Sequence, residues 1–101
     1  MNPNEASANK SRNITNNGLT SITGKFVFIA IVINTKGGSS NTIKIYDDVN
    51  GEETPENLKA TIDTTEAAKR LDYGIPMLKG INIRTATGTA ADLTVIYAET
   101  P

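Results

Sequence analysis

The sequence predicts an all-β fold: a small antiparallel β-sandwich or barrel-like domain carrying an extended N-terminal arm. Three observations predict it. From Ser21 onward, apolar residues recur with a period of two, as in half-buried strands. Turn chemistry (Gly37-Gly38-Ser39-Ser40, Asn50-Gly51, Thr87-Gly88-Thr89) interrupts that pattern at short intervals. Residues 1–20 differ in kind, being rich in asparagine, with Ile14 and Leu19 as their branched apolar side chains. A chain of 101 residues and 10.8 kDa supports one core. The expected division is an arm over residues 1–20 and a β-sandwich domain over residues 21–101.

The arm is too polar to fold by itself. It is expected either to be floppy or to order against a partner. Phe26 to Ile33 is β-branched and aromatic without a polar interruption, and reads as a strand with two apolar faces. Thr42 to Asp47 alternates cleanly and reads as a second strand, joined to the first in a hairpin through Gly37-Gly38-Ser39-Ser40. Asn50-Gly51 marks the next reversal and Pro55 delays the strand that follows. Leu58, Ala60 and Ile62 define a third strand. Thr64 to Leu71 reads either as one or two helical turns capped by Thr64 or Thr65, or as a strand entering Asp72-Tyr73-Gly74. Ile81 and Ile83 mark a late strand, and Leu93, Val95 and Tyr97 the last one.

Composition excludes several kinds of chemistry. With no cysteine there is no disulfide framework and no thiolate metal site. With no histidine there is no Ser-His-Asp or Cys-His catalysis and no imidazole-ligated metal. A net charge of −1 argues against a nucleic-acid binder. Gly18 to Lys25 superficially resembles a phosphate loop, but five residues separate its glycines and Phe26 follows the lysine. Asp47, Asp48, Glu52 and Glu53 crowd an Asn-Gly turn. Aligning Gly51 with the glycine of a calcium hand puts Tyr46 and Asn57 at ligand positions, which fails, although an unorthodox cation site over residues 47–53 stays open. No tryptophan accompanies these carboxylates as a sugar platform. The reading is a non-enzyme without catalytic, cofactor or metal residues. The longest apolar run, Phe26–Ile33, falls far short of the roughly 20 residues of a membrane helix, so no membrane partner is expected. No secretory signal pattern opens the chain, and synthesis in a cytoplasm is expected.

The two-sided strand is the informative feature. One face holds Val27, Ile29, Ile31 and Ile33; the other holds Phe26, Phe28, Ala30 and Val32. Cover for the second face comes from the chain itself, from the arm, or from another subunit. The expected core is Val27, Ile29, Ile31 and Ile33 with Ile43, Ile45, Ile81, Ile83 and Val95. Phe26, Phe28 and Val32 are then expected to meet a neighbouring subunit or the arm. From the arm, Ile14, Leu19, Arg12 and Lys10 complete the expected interface.

Several segments carry a resemblance. They are Val32-Ile33-Asn34-Thr35, Ile43-Lys44-Ile45-Tyr46-Asp47-Asp48, Gly80-Ile81-Asn82-Ile83, and above all Thr87-Gly88-Thr89-Ala90-Ala91-Asp92-Leu93-Thr94-Val95-Ile96-Tyr97. From about Ile22 to Glu99 the chain resembles small β-sandwich structural proteins of tailed-bacteriophage virions. It departs from them in Asp48, where such chains often have Asn, and in its polar arm. The resemblance implies a capsid cement or decoration protein, assembled in the host bacterial cytoplasm and placed on the capsid surface. Its implied partners are the major capsid protein and further copies of itself in a homo-oligomer. Two alternatives stand beside it: a receptor- or carbohydrate-binding module of a tail or head fibre, using Tyr46, Tyr73 and Asp47–Glu53, and a neck or tail structural subunit.

Overall fold

The computed structural model describes residues 9–65 and 69–99, with Lys69 described in its backbone alone. Among the described residues, eight strands run in chain order: β1 (Asn9–Ile14), β2 (Gly18–Thr23), β3 (Phe26–Thr35), β4 (Thr42–Tyr46), β5 (Leu58–Asp63), β6 (Lys69–Met77), β7 (Gly80–Ala86) and β8 (Asp92–Glu99). They form two four-stranded antiparallel sheets. Sheet A has the order β1-β8-β3-β6 and sheet B the order β2-β7-β4-β5. The antiparallel pairs β1/β8, β2/β7, β3/β6 and β4/β5 are those of one long double ribbon rolled into two layers. That is the jelly-roll form of the β-sandwich.

The core lies between the sheets. Ile43, Ile45, Ile81, Ile83 and Val95 are fully buried, as expected from their alternation. Ile22, Ile62, Met77 and Leu93 join them. Leu58 does not. The pairing of β4 with β5 slips between Ile45 and Tyr46, which turns Leu58 out to 37% exposure.

Two expectations about the chain path are corrected, and one open alternative is resolved. First, residues 9–20 are not a separate arm. β1 pairs with β8 and β2 with β7, each at a sheet edge, so the expected boundary at residue 20 falls inside a strand. Main-chain pairing needs no apolar side chains, which is why a polar segment can still be a strand. Residues 1–8 lie outside the described residues. Second, β3 and β4 are not a hairpin. Both edges of β3 are taken, by β6 and β8, so the chain must cross to the other sheet. Ser39 and Ser40, at φ 53° and 63°, make that crossing. Third, of the two readings for Thr64–Leu71, the strand holds from Lys69 onward; residues 66–68 lie outside the described residues.

The two faces of β3 are also corrected. Period two breaks between Phe28 and Ala30, where β3 gains one residue against β8 and β6 gains one against β3. Such a bulge resets which side chains point inward. Gly74, at φ +132°, supplies the backbone freedom on β6. Phe26 and Phe28, at 7% and 0% exposure, therefore join the core together with Ile31 and Ile33. Phe28 stacks on Tyr73 at 5.1 Å, and Phe26 meets Tyr97 edge-on at 5.1 Å. Val27 and Ile29, expected inside, are half-buried and lie outside the core cluster.

Candidate interaction surface

The outer face of sheet A carries an apolar stripe. Val27 sits opposite Ala98, Ala30 opposite Ile96, and Val32 opposite Thr94. These positions alternate with the inward pairs Phe28/Tyr97, Ile31/Val95 and Ile33/Leu93, so they face away from sheet B. Val27, Ile29, Val32 and Ile96 are each half-buried by their neighbours on this face. A polar frame surrounds them. β1 contributes Asn9, Ser11 and Asn13 on one side. β6 contributes the exposed ion pair Arg70–Asp72, 2.8 Å, on the other. Of the expected interface residues on β3, the structure keeps Val32 on the surface and removes Phe26 and Phe28 to the core.

The remaining expected interface residues lie along β1 and β2. Ile14, opposite Leu93, is 7% exposed and belongs to the core. Lys10 is exposed and reaches Glu99 at 3.4 Å. Arg12 is exposed opposite Val95, and Leu19 is half-buried opposite Arg84. Arg12, Ile14 and Leu19 come together around a groove of about 290 Å³ at the β1–β2 corner, lined otherwise by Asn, Thr and Gly. Lys10 and Arg12 share the inward side of β1, since their strand partners Tyr97 and Val95 point to the core. Inward-pointing charge on an edge strand is a device against indiscriminate strand addition.

The acidic segment between β4 and β5 forms a clasp. Asp47 Oδ1 accepts from the Lys79 main-chain N–H at 2.8 Å, and its Oδ2 from that of Leu78 at 3.0 Å. Asp48, 1% exposed, accepts from the Thr54 main-chain N–H and the Asn57 amide, both at 2.7 Å. Burial by itself raises the Asp48 pKa. The Thr54 N–H, the Asn57 amide, the Thr54 hydroxyl and the Lys79 charge outweigh it, holding the carboxyl below the ordinary range. Glu53 receives two hydrogen bonds from Arg84, at 2.7 and 2.9 Å. The Arg84 hydrogen bond lowers the Glu53 pKa against an opposing burial effect, helped by the charges of Arg84 and Lys44. Asn82 completes the clasp, its amide donating to the Val49 and Glu52 carbonyls at 2.7 Å each. Among the described residues, no three acidic, histidine or cysteine side chains are grouped to hold a metal ion.

Sequence reasoning missed the residues that fasten loops. Asn41 and Asn82 are nearly or fully buried yet sit in polar contexts that read as surface. It also missed the bulge, for which Gly74 within Leu71–Met77 was the available signal.

The fold and this surface define a jelly-roll β-sandwich domain that presents an apolar face framed by polar side chains. The chain matches no protein-family model, and no curated protein shows significant similarity to it.

Proposed function

We propose that this chain is a structural protein of a bacteriophage virion, a capsid cement or decoration protein that stabilises the shell through subunit–subunit contacts. The observation that carries the reading is the outward stripe of Val27, Ile29, Val32 and Ile96. A solvent-facing strand surface is ordinarily polar, and a contiguous apolar one marks a contact surface. The polar frame around it matches the core-and-rim anatomy of protein interfaces. The jelly roll supports the reading, since viral capsid domains use it; lectin domains use it too, and fold alone does not decide between them. The resemblance to small virion proteins favours the first. The partners of the stripe are the major capsid protein and neighbouring copies of this chain, with the virion surface as its place of action. Many identical subunits multiply a modest contact, so each interface can be small.

The fibre-module alternative has less support. Tyr46 is 8% exposed, and Asp47 and Asp48 are occupied by main-chain and amide donors. Of its proposed sugar contacts, Tyr73 is the exposed aromatic. A neck or tail subunit would use the same face at another address.

The test is the double variant Val32→Asp, Ile96→Asp, mixed with shells of the phage that encodes the chain. Both positions point outward, so the folded domain is expected to survive with its circular dichroism unchanged. Shell association is expected to fall at least about tenfold, one buried apolar side chain per copy being worth about 1.5–3 kcal/mol. Undiminished binding to shells overturns the reading. Phe28→Asp would not serve, because it places a charge in the core.

A further inference from the structure

The dipeptide Asn-Gly occurs twice, as Asn17-Gly18 and Asn50-Gly51. It is the pair most prone to succinimide formation, because glycine leaves the following main-chain nitrogen unshielded. The fold puts the two copies in opposite settings. The Asn17 amide donates to the Gly88 carbonyl at 2.9 Å, and its oxygen accepts from Asn41 at 2.9 Å. Asn41 is itself fully buried. Swinging the Asn17 carbonyl carbon onto the Gly18 nitrogen breaks both bonds. Asn50 and Gly51 are both exposed in the β4–β5 segment. Among the described residues the Asn50 amide has no hydrogen-bond partner. The Gly51 N–H makes one long contact, 3.4 Å to Ser21 Oγ, and the space beside its Cα is open.

We propose that Asn50 is a site of spontaneous deamidation selected by the fold, and that Asn17 is protected by it. Solvent base takes the Gly51 amide proton. The nitrogen attacks the Asn50 side-chain carbonyl carbon, forming a C–N bond; the carbon–NH2 bond breaks and ammonia leaves. Water then opens the cyclic imide at either carbonyl, yielding aspartate or its β-linked isomer. The product adds a carboxylate to a segment that already holds Asp47, Asp48, Glu52 and Glu53. In the β-linked form it also lengthens the main chain by one methylene between Val49 and Glu52. Their two carbonyls are the acceptors of the Asn82 amide. The modification therefore loosens the clasp that the Asn82 amide makes with the β4–β5 segment. This inference is independent of the proposed virion role.

The experiment incubates the full chain at mildly alkaline pH, native and in denaturant, and follows both asparagines by peptide mapping over time. In the native protein, Asn50 is expected to convert on the order of tenfold faster than Asn17, or more, since two hydrogen bonds hold the latter. In denaturant the two rates are expected to converge. Three results overturn the proposal: native rates that are equal or reversed, an Asn50 that stays intact in the native protein while the denatured chain reacts, or a native rate ratio that persists in denaturant. Asn50→Gln is expected to abolish the native signal and to leave the circular dichroism unchanged.

Discussion

At one end of the sandwich four connections meet: β1–β2, β3–β4, β5–β6 and β7–β8. Their hub is a neutral amide. Asn41 donates to Asn17 and to the Ala86 and Thr87 carbonyls, and accepts from the Thr64 hydroxyl at 2.6 Å. Asn41 and Thr64 are both fully buried. At the other end the hubs are two carboxylates of the β4–β5 segment, Asp47 fastening the β6–β7 turn and Asp48 fastening its own segment. The Asp47 partners are wetter, with Leu78 67% exposed and Lys79 exposed as well. The contrast teaches that a buried neutral hub is hard to replace and indifferent to pH, whereas Asp47, with its exposed partners, is easier to replace and Asp48, with its lowered pKa, is sensitive to acid.

The largest expected effect is Asn41→Ala. It removes the donor that the Ala86 and Thr87 carbonyls and the Asn17 side-chain oxygen share, and leaves the buried Thr64 hydroxyl with the Asn41 main-chain oxygen at 3.1 Å as its acceptor. Denaturant unfolding is expected to show a loss of about 3–4 kcal/mol, from several unmade hydrogen bonds at about 1 kcal/mol or more each. A loss no greater than that of a surface substitution would break the comparison. Asp47→Ala comes next, at about 1–2 kcal/mol, because solvent can take over the Leu78 and Lys79 N–H groups. An effect matching that of Asn41→Ala would erase the distinction between dry and wet hubs.

Acid sharpens the contrast. The pKa values of Asp48 and Glu53 are depressed in the folded state. Their contribution is therefore complete above the ordinary carboxylate range and is lost as pH falls through the folded values. Unfolding midpoints measured down an acid series are expected to drop over that window. In the pair Asp48→Asn, Glu53→Gln the drop is expected to flatten, and in Asn41→Ala to persist. Solvent screening makes the Glu53 share the smaller, as the Arg84 pair is about one-third exposed. The smallest effect belongs to Gly74→Ala. No atom obstructs the new methyl, so the cost is the φ of +132° alone, about 1 kcal/mol in thermal or denaturant unfolding.

Much of the β framework was legible because period-two burial is a local property. Ile43, Ile45, Ile81, Ile83, Leu93 and Val95 alternate in sequence and are buried in the fold for that one reason. β1 and β2 were not legible, since they are held by main-chain pairing at sheet edges and leave little apolar trace. The candidate surface was half legible. An outward apolar face on β3 was expected, and there is one, but its members changed. Val32 stayed, Val27 and Ile29 replaced Phe26 and Phe28, and Ile96 joined from β8.

What the sequence determined alone is the chemistry it forbids and the strands it forms: no thiol or imidazole sites, and alternating apolar residues that have to pair. Tertiary structure decided the rest. A one-residue bulge inverts every later side chain on its strand, and whether it forms depends on the register against two neighbours distant in sequence. The same holds for the rolled order of the sheets and for the opposite fates of two Asn-Gly pairs. Each is set by what the fold brings alongside, and no local window of the chain contains that partner.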